Sequence, residues 1–116
     1  MTINLDLQSR TPIYMQIEEE IERYIALGIL NPKDQLPSVR ELASSLGIIP
    51  NTVKKAYDEL EAKGTLSTVS TKGTFVADDI NKVVEEKIDS KIKEIKKIIH
   101  EIEGLGVSKN DIIKRL

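Results

Sequence analysis

The chain has 116 residues with 17 basic and 19 acidic side chains, one histidine and no cysteine, enough for one small domain and an appended element. Without cysteine there are no disulfides, thiolate metal sites or thiol nucleophiles, and His100, set in KIKEIKKIIHEIEG with no nucleophile patterned nearby, offers no Ser-His-Asp chemistry; no enzymatic activity, metal or cofactor is expected. No run approaches eighteen apolar residues, the N-terminus lacks a basic n-region and an apolar h-region, and the net charge is -2, so no membrane partner is expected, the cytoplasm is the expected compartment, and any binding to a polyanion must rest on locally placed cations.

Thr11-Pro12 opens a first helix, a hydroxyl cap followed by proline in the first turn, and Ile13, Ile17, Ile21, Tyr24 and Ile25 then recur at helical spacing until Gly28. Its other face carries Glu18, Glu19, Glu20 and Glu22, mostly contiguous rather than convergent, which reads as a solvated face and not a carboxylate site. Asn31-Pro32-Lys33-Asp34 is a turn. A second helix opens at Leu36-Pro37-Ser38 with a capping box, Ser38 at N-cap and Glu41 at N3, and Gly47 stops it after little more than two turns. Pro50 takes the first position of a third helix whose inward face is Val53, Ala56, Tyr57 and Leu60, ending near Gly64. Two short helices around a tight glycine-containing turn predict a helix-turn-helix.

From Thr65 the period changes to two, with Leu66, Thr68 and Ser70 alternating with Ser67 and Val69, then a Ser-Thr-Lys tip and Gly73-Thr74-Phe75-Val76. A β-hairpin in that place makes the unit a winged helix-turn-helix, with three helices and a wing sharing one core. Asp78 and Asp79 then begin a long helix of about 37 Å, acidic residues at its start favouring the macrodipole. Along it run Val84, Ile88, Ile92, Ile95, Ile99 and Ile102, the last five spaced 4, 3, 4, 3 like a coiled-coil seam. Ser108 with Asp111 caps a last short helix whose apolar face is Ile112, Ile113 and Leu116. Two helices give each other only one face, so this segment must fold back on the first or pair with another copy.

In a helix-turn-helix the N-terminal residues of the second helix enter the major groove, which singles out Asn51, Thr52, Lys54 and Lys55. Asparagine reads adenine bidentately, threonine meets a thymine methyl or a phosphate, and lysine meets guanine or phosphate oxygens. Taken alone, periodicity and charge describe an ordinary amphipathic helix. Ser38 and Arg40 stand in the first turn of the preceding helix, where N–H groups and the dipole favour a phosphate; simple capping by Ser38 and a surface pair of Arg40 with a glutamate remain open from sequence. Lys72, between Thr71 and Gly73 at the hairpin tip, can reach a minor groove or the backbone, although a lysine at a turn is usually only solvated.

The stretch QLPSVRELASSLGIIPNTVKKAYDELEAKG followed by STKGTFV resembles the winged helix-turn-helix of the GntR family of bacterial transcription regulators, and Pro12-Ile13-Tyr14-Met15-Gln16-Ile17 resembles the first helix of its YtrA-like branch. The resemblance covers residues 10 to 77. It implies that Arg40 grips phosphate or base, that Pro50, Asn51, Thr52 and Lys54 open the recognition helix, and that Thr71, Lys72 and Gly73 form the wing tip. The short tail is similar to that of the YtrA-like branch, whose members dimerise through two helices and often repress transporter operons; larger members carry effector or aminotransferase-like domains far longer than the 39 residues after Ala77. Three positions depart from the family pattern. Lys33 and Thr71 stand where it usually has glycine, and Ile49 stands where it usually has a Ser, Thr or Asn cap.

The expected fold is mainly α with a small β-hairpin: a winged helix-turn-helix DNA-binding domain over residues 1–77, then a helical dimerisation segment over 78–116. The expected function is a homodimeric, sequence-specific repressor that binds double-stranded DNA at an inverted-repeat operator. The alternative is a winged-helix protein-interaction module that does not bind DNA. Neither operator nor effector is legible in the residues.

Overall fold

Pro12 stands at the N-cap of α1 (Ile13–Ala26), and no side chain caps that helix. The expected Thr11 hydroxyl cap is therefore not formed; Thr11 contributes its carbonyl, which accepts from Gln16 Nε2 at 2.9 Å. Gln16 also donates to the Asp6 carbonyl at 2.9 Å and accepts from the Asp6 N–H at 2.8 Å, and Tyr24 donates to the Thr2 carbonyl. These bonds hold the N-terminal strand-like segment along α1 and bury Ile3. Ile3, Leu5 and Leu7 alternate with Asn4, Asp6 and Gln8, a period of two, but of the three only Ile3 is buried.

The computed structural model describes residues 1–116 in two compact units, Met1–Ile80 and Asn81–Leu116. In the first, α2 (Val39–Leu46) carries the capping box: the Ser38 hydroxyl accepts from the Glu41 N–H at 3.1 Å, and the Glu41 carboxylate accepts from the Ser38 N–H at 3.4 Å. Gly47 ends it at φ 67, a left-handed conformation that glycine adopts at no steric cost, and α3 (Pro50–Ala62) follows after three residues. Ile17 and Ile21 from α1, Leu42 and Ala43 from α2, and Val53, Ala56, Tyr57 and Leu60 from α3 bury the common core. The Tyr57 hydroxyl donates to the Pro37 carbonyl at 2.7 Å and so ties α3 to the start of α2; burial pushes this phenol far above its ordinary pKa.

The wing is an antiparallel pair, β1 (Leu66–Val69) and β2 (Gly73–Val76), with Leu66 opposite Val76 and Val69 opposite Gly73. Leu66 and Val76 close the core, whereas Thr68 is exposed, so the alternation reaches the core at one residue of β1 only. A third chain segment lies along β2: the N–H groups of Lys33 and Leu36 donate to the carbonyls of Val76 and Thr74, Val76 donates to Asp34, and Gln35 bridges Phe75. This pairing is too short to leave a period in the sequence.

Glu18 corrects the expectation of a solvated acidic face. It is 4% exposed and lies 3.5 Å from Lys63 Nζ. Burial first, and the neighbouring Glu59 carboxylate second, raise its pKa above the ordinary value near 4.5, more than Lys63 lowers it. A carboxyl whose folded pKa is raised contributes stability that is present in acid and lost as the pH climbs through the folded pKa. We therefore expect Glu18→Gln to match or exceed the parent's stability at pH 7.5, with the parent regaining ground as the pH falls toward 4.5; urea denaturation at several pH values checks this. A variant much weaker at every pH would show that the Lys63 ion pair dominates instead.

In the second unit, the remainder of α4 (Ile80–Glu103) is followed by α5 (Lys109–Lys114). Ile80 itself is buried in the first unit, and Asp78 and Asp79 precede the helix rather than occupying its first turn. The Ser108 hydroxyl caps α5 by accepting from the Asp111 N–H at 3.2 Å. Of the apolar face expected for α5, only Ile112 is buried; Ile113 and Leu116 are 57% and 96% exposed. Of the expected seam, Val84, Ile99 and Ile102 are half-buried, while Ile88, Ile92 and Ile95 are 47%, 42% and 50% exposed.

Candidate nucleic-acid interface

The N-terminal half of α3 separates its chemistry by face. Val53, Ala56 and Tyr57 are buried, while Asn51, Lys54 and Lys55 are exposed and Thr52 is half-exposed. Ile49, the N-cap, supplies no side-chain acceptor and is 66% exposed, and because the Thr52 N–H donates to the Ile49 carbonyl at 3.2 Å, the Asn51 N–H is the first-turn donor of α3 left open to an anion. Pro50 has no N–H to satisfy. The acidic residues of α3, Asp58, Glu59 and Glu61, stand toward its other end, so the helix presents polar and cationic groups first and carboxylates last.

The cations of this surface are not equivalent. Lys54 Nζ lies 2.7 Å from Asp58 Oδ2 one turn along, and Lys55 Nζ sits 4.0 Å from the Tyr14 ring centroid on α1. Each must release or share that partner to meet a phosphate, although an exposed ion pair of this kind holds by only about 0.3–0.5 kcal/mol. Arg40, exposed in the first turn of α2, has neither a hydrogen bond nor an ion pair within the chain, so the glutamate pairing left open by the sequence is not made. Ser38 keeps its capping bond with the hydroxyl at the surface.

The wing tip is held from an unexpected side. The Gln35 amide donates to the Lys72 carbonyl at 3.0 Å, and the Lys72 N–H donates to Val69 at 3.0 Å. Gly73 has φ 124, and a β-carbon there would lie 2.6 Å from Gln35 Nε2. Lys72 and Lys33 border one shallow cleft on the outer face of the hairpin, floored by Val69 and Phe75, with Ser67 and Asp78 at its sides. Lys33 joins the tip through the segment that pairs with β2, a contact no motif of the sequence announces.

Both glycine-to-other departures noted in the sequence fall on left-handed backbone. Lys33 has φ 71 in the turn closed by the Asp34 N–H on the Asn31 carbonyl, and Thr71 has φ 66 in the turn closed by Lys72 on Val69. Each is the third residue of its turn, where a positive φ favours glycine, and for a β-branched threonine the conformation costs about 1–2 kcal/mol. Thr71→Gly removes that strain at the expense of more unfolded-state freedom, so we expect a net gain of about 0.5–1 kcal/mol, roughly 2–6 °C in Tm. Gly73→Ala should move Tm in the opposite direction. Calorimetry on the two variants checks the pair, and a Thr71→Gly variant that melts earlier would contradict the strain.

Bacterial regulatory proteins of the gntR family match this chain over residues 13–76. The HTH-type transcriptional repressor YtrA of Bacillus subtilis is 41% identical over 106 residues, which is 90% of this chain and 82% of YtrA. A transcriptional regulator from Oenococcus oeni has a solved structure that superposes with a TM-score of 0.72 at 35% identity, covering 95% of this chain and 92% of that one. AraR(DBD), solved in complex with an operator, superposes with a TM-score of 0.56 at 34% identity over 66% of this chain and 94% of its own.

Proposed function

The chain belongs to the gntR family of bacterial regulatory proteins, which are DNA-binding transcription regulators, and from that premise we propose that it is a cytoplasmic, homodimeric repressor of an inverted-repeat operator. The observation that carries the reading is the division of α3 into a buried face of Val53, Ala56, Tyr57 and Leu60 and an exposed one of Asn51, Lys54 and Lys55, beside an unengaged Arg40. In the proposed complex Asn51 and Thr52 meet base edges in the major groove, while Lys54 and Lys55 serve guanine or phosphate oxygens. Arg40 clamps a phosphate at the start of α2, with the Ser38 hydroxyl beside it. Thr71, Lys72 and Gly73 lie against the sugar-phosphate backbone or minor groove at the wing. Repression follows from occupancy, since a dimer seated on an operator excludes other proteins from that DNA.

Dimerisation answers the charge objection. The first unit has few cations and a net negative charge, but two copies double the cations along one binding surface. Ile88, Ile92 and Ile95, exposed in one chain, are the residues that a second copy covers, together with Val84, Ile99 and Ile102. A protein-interaction module that never touches DNA gains no support from relatives named as transcription regulators. Selection of bound duplexes from a random pool tests the reading. An enriched inverted repeat with half-site centres about 10 base pairs or a multiple apart is expected, and a pool that stays random would contradict it.

A further inference from the structure

In the heptad frame of α4, Ile92 and Ile99 are a positions and Ile88, Ile95 and Ile102 are d positions. That makes Asp89, Lys96 and Glu103 e positions and Lys91 and Ile98 g positions. Asp89 and Lys96 make no ion pair within the chain, and Lys91 pairs only with Glu94, at 3.3 Å. The exposed stripe runs through Ile88, Ile92 and Ile95 to Ile98, itself 54% exposed. The flanking charges, rather than the apolar stripe, distinguish the ways two such helices can meet.

In a parallel pair each g residue meets the next e residue of the other helix, which sets Lys91 against the partner's Lys96 at both edges. In an antiparallel pair e meets e and g meets g. With Ile92 across from the partner's Ile95, and Ile88 across from the partner's Ile99, four isoleucine layers form. Along the edge where e meets e, Asp89 then faces the partner's Lys96 twice, once toward each end, and along the edge where g meets g the aliphatic stem of Lys91 lies beside the partner's Ile98. A slip of one heptad step in one direction sets Lys96 against the partner's Lys96 and Asp89 near the partner's Glu103. A slip in the other direction sets Asp89 against the partner's Asp89. Of these three antiparallel registers, the first alone pairs Asp89 with Lys96 and sets no like charges against each other along that edge.

We propose that two copies of this chain pair through α4 in this antiparallel register, with Ile92 against the partner's Ile95 and two symmetry-related Asp89–Lys96 ion pairs along one edge. The proposal rests on the homodimer reading above and adds orientation and register to it. It places the two α4 starts, at Ile80, about 40 Å apart along the helix axes at 1.5 Å per residue, close to the roughly 34–36 Å between half-sites one turn apart on DNA. Parallel pairing would bring them to about 10 Å.

Two measurements on the full chain test it. Lys96→Glu sets like charges opposite each other in both of these pairs, so the dimer dissociation constant from sedimentation equilibrium should rise about tenfold, and Asp89→Lys in the same chain should restore it. In a parallel coil Lys96→Glu would instead relieve the Lys91 repulsion and tighten the dimer. Because the chain has no cysteine, a nitroxide on Lys82→Cys is a clean probe. Electron-electron resonance should report about 35 Å between labels for the antiparallel register, against roughly 10–20 Å for a parallel coil. A tightened or unchanged dimer, or the short distance, overturns the proposal while the homodimer stands. A chain that stays monomeric at every concentration overturns the homodimer reading itself and this proposal with it.

Discussion

Replacing Ile92 and Ile95 together by glutamate is expected to lower operator affinity by a hundredfold or more while Met1–Ile80 stays folded. Both side chains are about half-exposed in the single chain, so their loss removes little from its own stability, and glutamate is a good helix former. In the dimer each copy would bury them. Full burial of an isoleucine gives about 1.5–3 kcal/mol, and four such side chains exchanged for charges leave no stable pairing. The second half-site is then no longer tethered to the first, and tethering multiplies affinity by about 100- to 10,000-fold. Sedimentation and operator titration on one preparation check both halves of the expectation. A monomeric variant that still bound its operator at full strength would refute the role given to the seam.

Arg40→Ala should weaken binding to every duplex, specific or random. A charge-assisted hydrogen bond is worth about 1.5–3 kcal/mol, and a dimer loses two, so a loss of at least a hundredfold is expected. The slope of log affinity against log salt should flatten by about 2, one phosphate contact for each subunit. Asn51→Ala should behave differently, relaxing preference at one base step by about 1–3 kcal/mol with little change in the salt slope. Titrations against matched, mutated and random duplexes at several salt concentrations separate the two. If both variants lost affinity in parallel across all sequences, the division of labour between phosphate grip and base reading would be wrong.

The elements that announced themselves did so through local chemistry. Ser38 and Glu41 form their box because both partners lie within one turn, and Gly47 and Pro50 bracket the turn between α2 and α3 because one permits left-handed backbone and the other has no N–H to satisfy. The polar and apolar faces of α3 follow from a period of 3.6. What the sequence did not show depends on long-range partners. Gln35 carries no motif, yet it secures the Lys72 carbonyl 37 residues away, and Lys33 reaches the wing only because its segment pairs with β2. Glu18 looked like one carboxylate in a solvated row because its burial is set by the packing of α1 on α3, invisible to helical periodicity alone. The partners of Lys54 and Lys55 were half legible: an i,i+4 pair with Asp58 follows from spacing, while Tyr14 lies on another helix.

In the proposed complex the exposed face at the start of α3 enters a major groove. The most direct measurement is an NMR titration of the isotope-labelled chain with its selected operator, following backbone and side-chain amides. The Asn51 side-chain amide and the N–H groups of Thr52, Lys54 and Lys55 should shift most, followed by Arg40 and the 71–73 tip, while the acidic face of α1 stays unmoved. Shifts centred on Glu19, Glu20 and Glu22 of α1, with Asn51 and Thr52 silent at saturation, would contradict it.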